Sequence, residues 1–550
     1  MNEVTIFLGG QAGEGVKRGA AVIGRMLNRF GHHIFIMDDY VSTIRGGQDY
    51  SEVRASKSEV FSQSGREDIV ISFHKDIYER YKSKAKEDAT IILDGESGTD
   101  IPFSKIIKEN DALTVMKPSI ALGVVAYILE VPFEFVERTL NSEFKEKSSK
   151  NITLAKVGYE TARERNFPRR PLGRGEKPPF PLMYGNELTA LGAVRAGMKV
   201  YTAYPITPAS PILHFLAKEQ KRLNITALHT EDEISAAVMA IGAAYAGVPA
   251  MVGTSGPGID LMGEAISLAG GTEVPLVIVD AQRAGPTTGV PTYTEQSDLN
   301  LVLNVGHGEF PRIVLAPGTV DESFDIAARA MQYAWWYQTP VFILTDKQIA
   351  ESSKTVNLDY KRKFPLPVKY FQSGGQYERY KVTEDGISEL AFPGMKGVVN
   401  HTNSTEHTEE GYSSSLPENV IKMKEKRLKK AETIENDFLR EHTINVFGDP
   451  DAKNAVVSFG SPTGAILEAI QDLPVKFLQV ITLAPFPVEK VNNVLHNVEN
   501  IITVENNSTG QFAELLKCKT MRKVNHRLLR YDARPFDPFE LKAQIKEVLL

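Results

Sequence analysis

Apolar residues along this chain come in short runs separated by longer stretches with helical spacing, the pattern of alternating strands and helices. In residues 1–175 the strand candidates are VTIFL (4–8), HIFIMD (33–38), DIVISF (68–73) and ATIILD (89–94), and Ala20, Ala21, Ile23 and Leu27 repeat at helical spacing after the first. The segments between the strands are long enough for crossovers, which predicts an α/β layer around a mostly parallel sheet. NFPRRPLGRGEKPPFP (166–181) breaks both periodicities and reads as a linker.

The alternation resumes over 182–350, where KVYTAY, ITALH, PAMVGT, PLVIVDA, RIVLA and PVFILTD are strands with small-residue helices between them. Residues 351–440 lose the pattern and form a polar connecting segment ending in KMKEKRLKKAE (422–432), which reads as a solvated helix face. From 441 to 550, AVVSFGSPTGAILEAI, VKFLQVITLAP and IITVENNSTGQFAELL predict a third, smaller α/β domain. The fold class is therefore α/β in three domains, with no fixed-period repeat.

Composition agrees with several folded domains. The 550 residues are 42% hydrophobic and 24% charged, ordinary fractions for globular chains of roughly 100 to 200 residues per domain. Against 69 Asp and Glu stand 63 Lys and Arg, a net charge of −6, which offers no polycationic surface for nucleic acid or anionic lipid. MNEVTIFLGGQ lacks a basic leader, and the apolar run at 120–129 is short of the ~20 residues that span a bilayer. A cytoplasmic protein with no membrane or nucleic-acid partner is expected. One cysteine, Cys518, excludes an internal disulfide and any metal site built only from this chain's cysteines.

Two places carry candidate chemistry. GGQAGEGV (9–16) lies between a strand and a helix, with glycines at 9, 10, 13 and 15, where free amides and a helix dipole can hold a phosphate. The spacing is not G-x-G-x-x-G and the P-loop lysine is missing. Asp38 and Asp39 stand where a ribose-binding acid would, which keeps a dinucleotide reading open beside that of a plain tight turn. TIRGGQ (43–48) could bring Arg45 to the same edge, or be only a turn.

The second place is the set of strand ends in 182–350. YPITPAS (204–210) stiffens the chain with two prolines around the small hydroxyl of Thr207. In HTEDEISAAVMAIGAAYAG (229–247), Thr230 and Glu233 have capping-box spacing, and spacing alone favours a cap. GTSGPGIDLMGEA (253–265) can approach a ligand closely at Gly256 and Gly258. QRAGPTTGVPTYTEQSD (282–298) begins with Arg283, whose planar fork suits a carboxylate, and carries the hydroxyls of Thr287, Thr288 and Thr292. An exposed loop arginine is the plain alternative.

Together these segments resemble the α subunit of 2-oxoacid:ferredoxin oxidoreductases, in the form with the γ domain fused at the N-terminus. GGQAGEG and STIRGG resemble the Rossmann-like γ domain. GNELTALGAVRAG, YPITPAS, the TEDE helix, GTSGPG and QRAGPTTGVPT resemble the pyrimidine-binding domain for thiamine diphosphate. FGSPTG, LAPFP and VENNSTGQ are similar to the transketolase C-terminal domain. The resemblance implies oxidative decarboxylation of a 2-oxoacid (2-oxoglutarate, or a broad range including pyruvate) to acyl-CoA and CO2. Coenzyme A is then the co-substrate and ferredoxin the electron acceptor.

It also implies roles. Glu233, with Gly242 nine positions on in the same helix, matches the glutamate that hydrogen-bonds the aminopyrimidine of thiamine diphosphate, and this outweighs the cap. The motif Tyr204, Pro205, Ile206, Thr207 and Pro208 sets Thr207 against cofactor and substrate, Arg283 binds the substrate carboxylate, and Thr292 is a substrate-side hydroxyl. The family's GDG motif for magnesium is not matched, because Gly448-Asp449 is followed by Pro450. A β subunit should therefore supply Mg2+, the diphosphate half of the site and a [4Fe–4S] cluster. The alternatives are a nicotinamide-dependent dehydrogenase, which leaves YPITP and QRAGPTTGVPT unexplained, and a non-catalytic assembly subunit, which predicts no effect of substitutions at Thr207, Glu233 or Arg283.

Overall fold

The computed structural model describes residues 1–42, 47–176, 179–359, 361–372 and 376–549. The chain forms two compact units. One comprises Met1–Tyr184, Glu351–Leu358 and Asp537–Ala543, the other Gly185–Ala350, Asp359–Phe536 and the residues from Gln544 on.

The first unit holds a seven-stranded sheet in the order Ala85–Leu93, Glu67–Ser72, Glu3–Gln11, Gln48–Ser56, His33–Asp39, Ser353–Thr355, Leu182–Tyr184. Only the pairings of Glu67–Ser72 with Glu3–Gln11 and with Ala85–Leu93 are parallel. The expectation of a mostly parallel sheet here is thus corrected, because a strand intervenes that the apolar pattern does not reveal. Gln48–Ser56 is QDYSEVRAS, and it pairs antiparallel along its whole length with Glu3–Gln11. Its polar side chains are buried but satisfied. Ser51 Oγ donates to Asp38 at 2.5 Å, Arg54 Nε donates to Glu3 at 2.7 Å, and Glu52 accepts the Ser64 amide. Buried polar groups with partners cost little, so a strand need not be apolar to be internal.

The apolar run at 120–129 lies in the helix Lys117–Leu129, every residue of which is buried. The helix packs on Ser148–Glu164 at glycine contacts. A Cβ on Gly123 would strike the Ala155 carbonyl, and one on Gly158 the Ile120 carbonyl. No single helix among the described residues is long and apolar enough to cross a membrane.

The second unit carries two sheets. The seven-stranded one runs Thr482–Ala484, Ile313–Leu315, Pro340–Asp346, Leu276–Gln282, Ala250–Thr254, Val200–Ala203, Thr226–His229. It is parallel except for its first edge strand. Leu276–Gln282 and Pro340–Asp346 are buried at every position, as strands covered by helices on both faces must be. The five-stranded sheet runs Ile444–Gly448, Val475–Val480, Asn454–Ser458, Asn500–Glu505, His526–Leu529, with only Ile444–Gly448 antiparallel. With three sheets, parallel pairings in the majority and helices between the strands, the chain is an α/β protein.

The lysine-rich run is not a solvated face. It belongs to the helix Pro417–Phe438, which buries Met423, Lys426, Arg427, Lys430, Ile434 and Phe438 along one side. Lys426 Nζ donates to both oxygens of Glu273 at 2.7 and 2.8 Å, and Lys430 Nζ donates to Glu273 and to the Gln338 carbonyl. Arg379 donates to the Glu273 carbonyl at 2.6 Å and to Gln338 at 3.0 Å. Although burial alone would raise it, the neighbouring cations hold the Glu273 carboxyl well below its usual range, while burial pulls Lys430 down to about 7. Spacing i, i+4 placed both lysines on one face, but only an acid remote in sequence shows that the face points inward.

Removing one partner of a buried ion network strands the rest. Glu273→Gln is expected to destabilise the chain by about 3 to 5 kcal/mol, read as the shift in a urea unfolding midpoint; an unshifted midpoint would show the network to be energetically neutral.

Candidate functional site

Ligands of open parallel sheets lie at the carboxyl ends of the strands, where the strand order reverses. In the seven-stranded sheet of the second unit the chain leaves Val200–Ala203 for Thr226–His229 on one side and returns to Ala250–Thr254 on the other. The order reverses at Val200–Ala203, and the loops leaving these strands and Leu276–Gln282 carry all the candidate residues of the second domain.

Tyr204 and Thr207 follow Val200–Ala203 directly. Asn186, fully buried, donates from Nδ2 to the Pro208 carbonyl at 2.9 Å and so fixes the proline turn. The Thr207 carbonyl accepts Nη1 of Arg283 at 2.9 Å. Arg283 leaves the end of Leu276–Gln282 and is 8% exposed, which answers the alternative of an exposed loop arginine. Its Nε is buried without a hydrogen-bond partner. Burial lowers the pKa of this guanidinium, and Asp298 opposes that shift.

Glu233 is the first residue of the helix Glu233–Tyr245, but it does not form the capping box. The cap is Asp232, whose Oδ1 accepts the Ser235 amide and hydroxyl, both at 2.7 Å. Thr230 donates instead to the Asp232 carbonyl at 2.9 Å. The helix begins later than the Thr230 spacing assumes, so the box residues are out of register with it. Glu233 is 7% exposed, and among the described residues its carboxylate makes no hydrogen bond or ion pair. Its Cγ lies 2.8 Å from where a Cβ on Gly258 would stand, and the Thr254 hydroxyl crowds the same point. A glycine is required there because the backbone turn meets the carboxylate side chain.

The loop from Arg283 to Asp298 buries Thr292 and exposes Thr287 and Thr288. It is held from the five-stranded sheet. Gln296 donates from Nε2 to the Phe459 carbonyl at 3.0 Å and its Oε1 accepts the Asn506 amide at 3.0 Å, while Asn507 Nδ2 donates to the Gln296 carbonyl at 3.1 Å. Arg534 stacks over Tyr293 at 3.7 Å. Sequence reading did not single out Gln296, Asn506 or Asn507 as site residues. Their signal was the position of Asn506 and Asn507 immediately after a buried strand.

Two further acids lie here. Asp280, near the end of Leu276–Gln282, has 0% exposure and both carboxyl oxygens without a partner. The Asp298 backbone amide donates to Gln282 Oε1 at 3.0 Å, and an Asp298 carboxylate oxygen sits 2.6 Å from where a Cβ on Gly256 would be. Burial, with the charges of Glu295 and Asp260, pushes Asp298 up to about 7 against the pull of Arg283. Burial pushes Asp280 well above its usual range, helped by Asp298 and Asp260.

In the first unit the Gly-rich turn is occupied by its own acid. Gly9 and Gly10 lie inside the strand Glu3–Gln11, and Gly13 and Gly15 take φ of 97° and 79°. Glu14 accepts the Gln11 amide at 2.8 Å and pairs with Lys117 at 3.0 Å and His74 at 2.9 Å. Asp38 accepts Ser51 and pairs with Lys17 at 3.3 Å, so this acid is engaged within the chain. Arg45 lies outside the described residues. Gly448-Asp449 makes a turn in which Asp449 accepts the Asp451 amide at 2.9 Å.

Residues 191–426 match the family model described as pyruvate flavodoxin/ferredoxin oxidoreductase, thiamine diphosphate-binding, and residues 5–161 match that for pyruvate ferredoxin/flavodoxin oxidoreductase. The chain is 32% identical to the 2-oxoacid:ferredoxin oxidoreductase subunit alpha of Sulfolobus sp over 99% of its own length and 96% of the relative's. It is 30% identical to the 2-oxoglutarate synthase subunit KorA of Methanocaldococcus jannaschii over 62% of this chain and 93% of that one. Among solved structures, 2-oxoglutarate:ferredoxin oxidoreductase from Magnetococcus marinus, with 2-oxoglutarate, coenzyme A and succinyl-CoA bound, matches with a TM-score of 0.92 at 28% identity, covering 100% of both chains. With near-complete coverage in sequence and fold alike, the chain belongs to the alpha-subunit family of 2-oxoacid:ferredoxin oxidoreductases.

Proposed function

We propose that this chain is the catalytic α subunit, with the γ part fused, of a cytoplasmic enzyme that oxidises a 2-oxoacid with coenzyme A to acyl-CoA and CO2 and passes the electrons to ferredoxin. The observation that carries the reading is the convergence at one sheet edge of a buried, unpaired carboxylate (Glu233), a buried guanidinium with a free donor (Arg283) and the YPITP turn. Residues 1–175 act as the γ domain and 182–350 as the pyrimidine-binding domain. Residues 441–550 act as the transketolase C-terminal domain, with 351–440 connecting them. The ligands of the Magnetococcus structure favour 2-oxoglutarate as substrate.

The donor set fits thiamine diphosphate. Glu233 is buried at the start of its helix with no partner for its carboxylate among the described residues, as a group that takes its hydrogen bond from a bound aminopyrimidine requires. When bound, thiamine diphosphate supplies the carbon nucleophile and the electron sink for decarboxylation. Glu233 holds the pyrimidine nitrogen by a hydrogen bond, strengthened by exclusion of water, and keeps a proton at that atom. Arg283 fixes the substrate carboxylate through its fork, while Thr207 and Thr292 orient the oxo group.

A β subunit completes the site, holding Mg2+ for the diphosphate and the [4Fe–4S] cluster. Beside Glu233 the same edge exposes apolar side chains that water disfavours: Ile234, Val238 and Met239 on its helix, at 49%, 47% and 49%, with Leu228 and Leu261 nearby in the fold. Such a patch supports a protein partner at that face.

Co-expression with the β subunit is expected to give reduction of a viologen dye that depends on both coenzyme A and a 2-oxoacid; inactivity with 2-oxoglutarate, pyruvate and other 2-oxoacids alike would overturn the reading. Losing a charge-assisted bond costs about 1.5 to 3 kcal/mol, so Arg283→Ala should raise the 2-oxoacid KM at least about tenfold, and an unchanged KM removes Arg283 from that role. Glu233→Ala should cut kcat by about 100-fold or more with assembly intact on gel filtration, whereas unchanged turnover sinks its assignment.

A further inference from the structure

The VENNSTGQ segment (504–511) has no part in the mechanism above, yet it grips the chain that carries Arg283. The segment is rigid in itself. Buried Glu505 accepts the amides of Phe512 at 2.7 Å and Ala513 at 2.9 Å, and Asn507 Oδ1 accepts the Gly510 amide at 2.7 Å. From this base it holds Gln296. The Gln296 amide donates to the Asn506 carbonyl at 2.7 Å, Gln296 Oε1 accepts the Asn506 amide at 3.0 Å, and Asn507 Nδ2 donates to the Gln296 carbonyl at 3.1 Å. Gln511 adds a second grip, since its Nε2 donates to the Ser297 carbonyl at 2.8 Å and its Oε1 accepts the Asn300 amide at 2.9 Å.

The gripped stretch in turn brackets Arg283. On one side Gln282 Oε1 accepts the Asp298 amide at 3.0 Å, and on the other the Ala284 amide donates to the Tyr293 carbonyl at 3.2 Å. Both sequence neighbours of Arg283 are thus tied to the stretch that Gln296 anchors, one tie on each side of Gln296. The tip of the same loop, 285–290, is exposed. Arg283 Nη1 is committed to the Thr207 carbonyl, so its side chain cannot swing to make up for a displaced backbone. A guanidinium makes two parallel bonds to a carboxylate only in a narrow geometry, and a small misplacement loses one of them.

We propose that Gln296, seated in the VENNSTGQ segment, is a positioning residue for the 2-oxoacid: through the backbone on both sides of Arg283 it sets the guanidinium where the substrate carboxylate meets it. The proposal rests on the reading of Arg283 as the carboxylate-binding group. A residue that acts on one substrate through one side chain has a signature. Its loss is felt in the KM for that substrate, and the effect disappears once the side chain is gone, which a double-mutant cycle reads directly.

The test uses the α and β subunits co-expressed, with coenzyme A-dependent viologen reduction on 2-oxoglutarate as the assay. Gln296→Met keeps the length and removes the side-chain bonds, and it should raise the 2-oxoglutarate KM by about three- to thirtyfold. The KM for coenzyme A should stay within about twofold of wild type. In an Arg283→Ala background the same substitution should change the 2-oxoglutarate KM by less than about twofold. A wild-type KM in Gln296→Met, or single effects that multiply in the double variant, overturns the proposal while leaving Arg283 in its role. If Gln296→Met fails to assemble, Gln511→Leu takes its place at the second grip, and an unchanged 2-oxoglutarate KM there overturns the proposal. If Arg283→Ala alone leaves KM unchanged, the underlying site reading falls, and this proposal with it.

Discussion

The hydrogen bond from Arg283 to the Thr207 carbonyl joins loops that leave two different strands, and the geometry of the site depends on it. A parallel sheet delivers its outgoing loops to one edge, but it does not fix their side chains relative to one another. Here a guanidinium spends one of its donors on a backbone carbonyl and keeps Nε unsatisfied in a buried place. That is an electrostatic strain that packing alone does not explain, since an unmade bond of a buried charged group is costly. The strain is tolerated where a ligand relieves it.

The loop carrying Thr292 shows how such a position is kept. Its apolar content is small, and a free loop of this length would sample many conformations. Gln296 closes it against Phe459, Asn506 and Asn507 with both its backbone and its side chain. The five-stranded sheet thus holds, through hydrogen bonds, the loop that bears Thr292 and leads from Arg283. It thereby orders what the parallel sheet leaves loose.

How much of this is legible from residues alone follows from what each part is made of. The strands Ala250–Thr254, Leu276–Gln282 and Pro340–Asp346 are buried throughout, and all six strands read from 182–350, the exposed edge strand Thr226–His229 included, stand where the hydrophobic pattern puts them. Gln48–Ser56 is hidden because its burial rests on polar pairings with Asp38, Glu3 and Ser64, which no local pattern records. The same blindness affects KMKEKRLKKAE, where the periodicity was visible and the burial was not. Within the candidate site, Thr207, Glu233 and Arg283 follow strand ends and are readable from position and type. Asn186, Gln296 and Asp298 are not, because their partners are distant in sequence and their residue types are common in loops. The cap at Glu233 failed for a narrower reason: a box motif presumes where the helix begins, and Asp232 begins it two residues later than Thr230 would.

The strand Leu276–Gln282 ties these observations together. Its seven residues span about 20 Å, fully buried and paired on both sides. Just before one end stands Glu273, fixed by Lys426, Lys430 and the helix Pro417–Phe438. At the other end stand Asp280, Gln282 and Arg283, with Asp298 anchored to Gln282. A buried ion network is a poor source of net stability, but it admits one arrangement of its partners and penalises slippage. Fixing the entry of a rigid strand fixes its exit, so the polar segment 351–440, silent by composition, bears on where Arg283 is held. The charges in the core and the charges at the site are then two ends of one element: the first set specifies its position, and the second uses it.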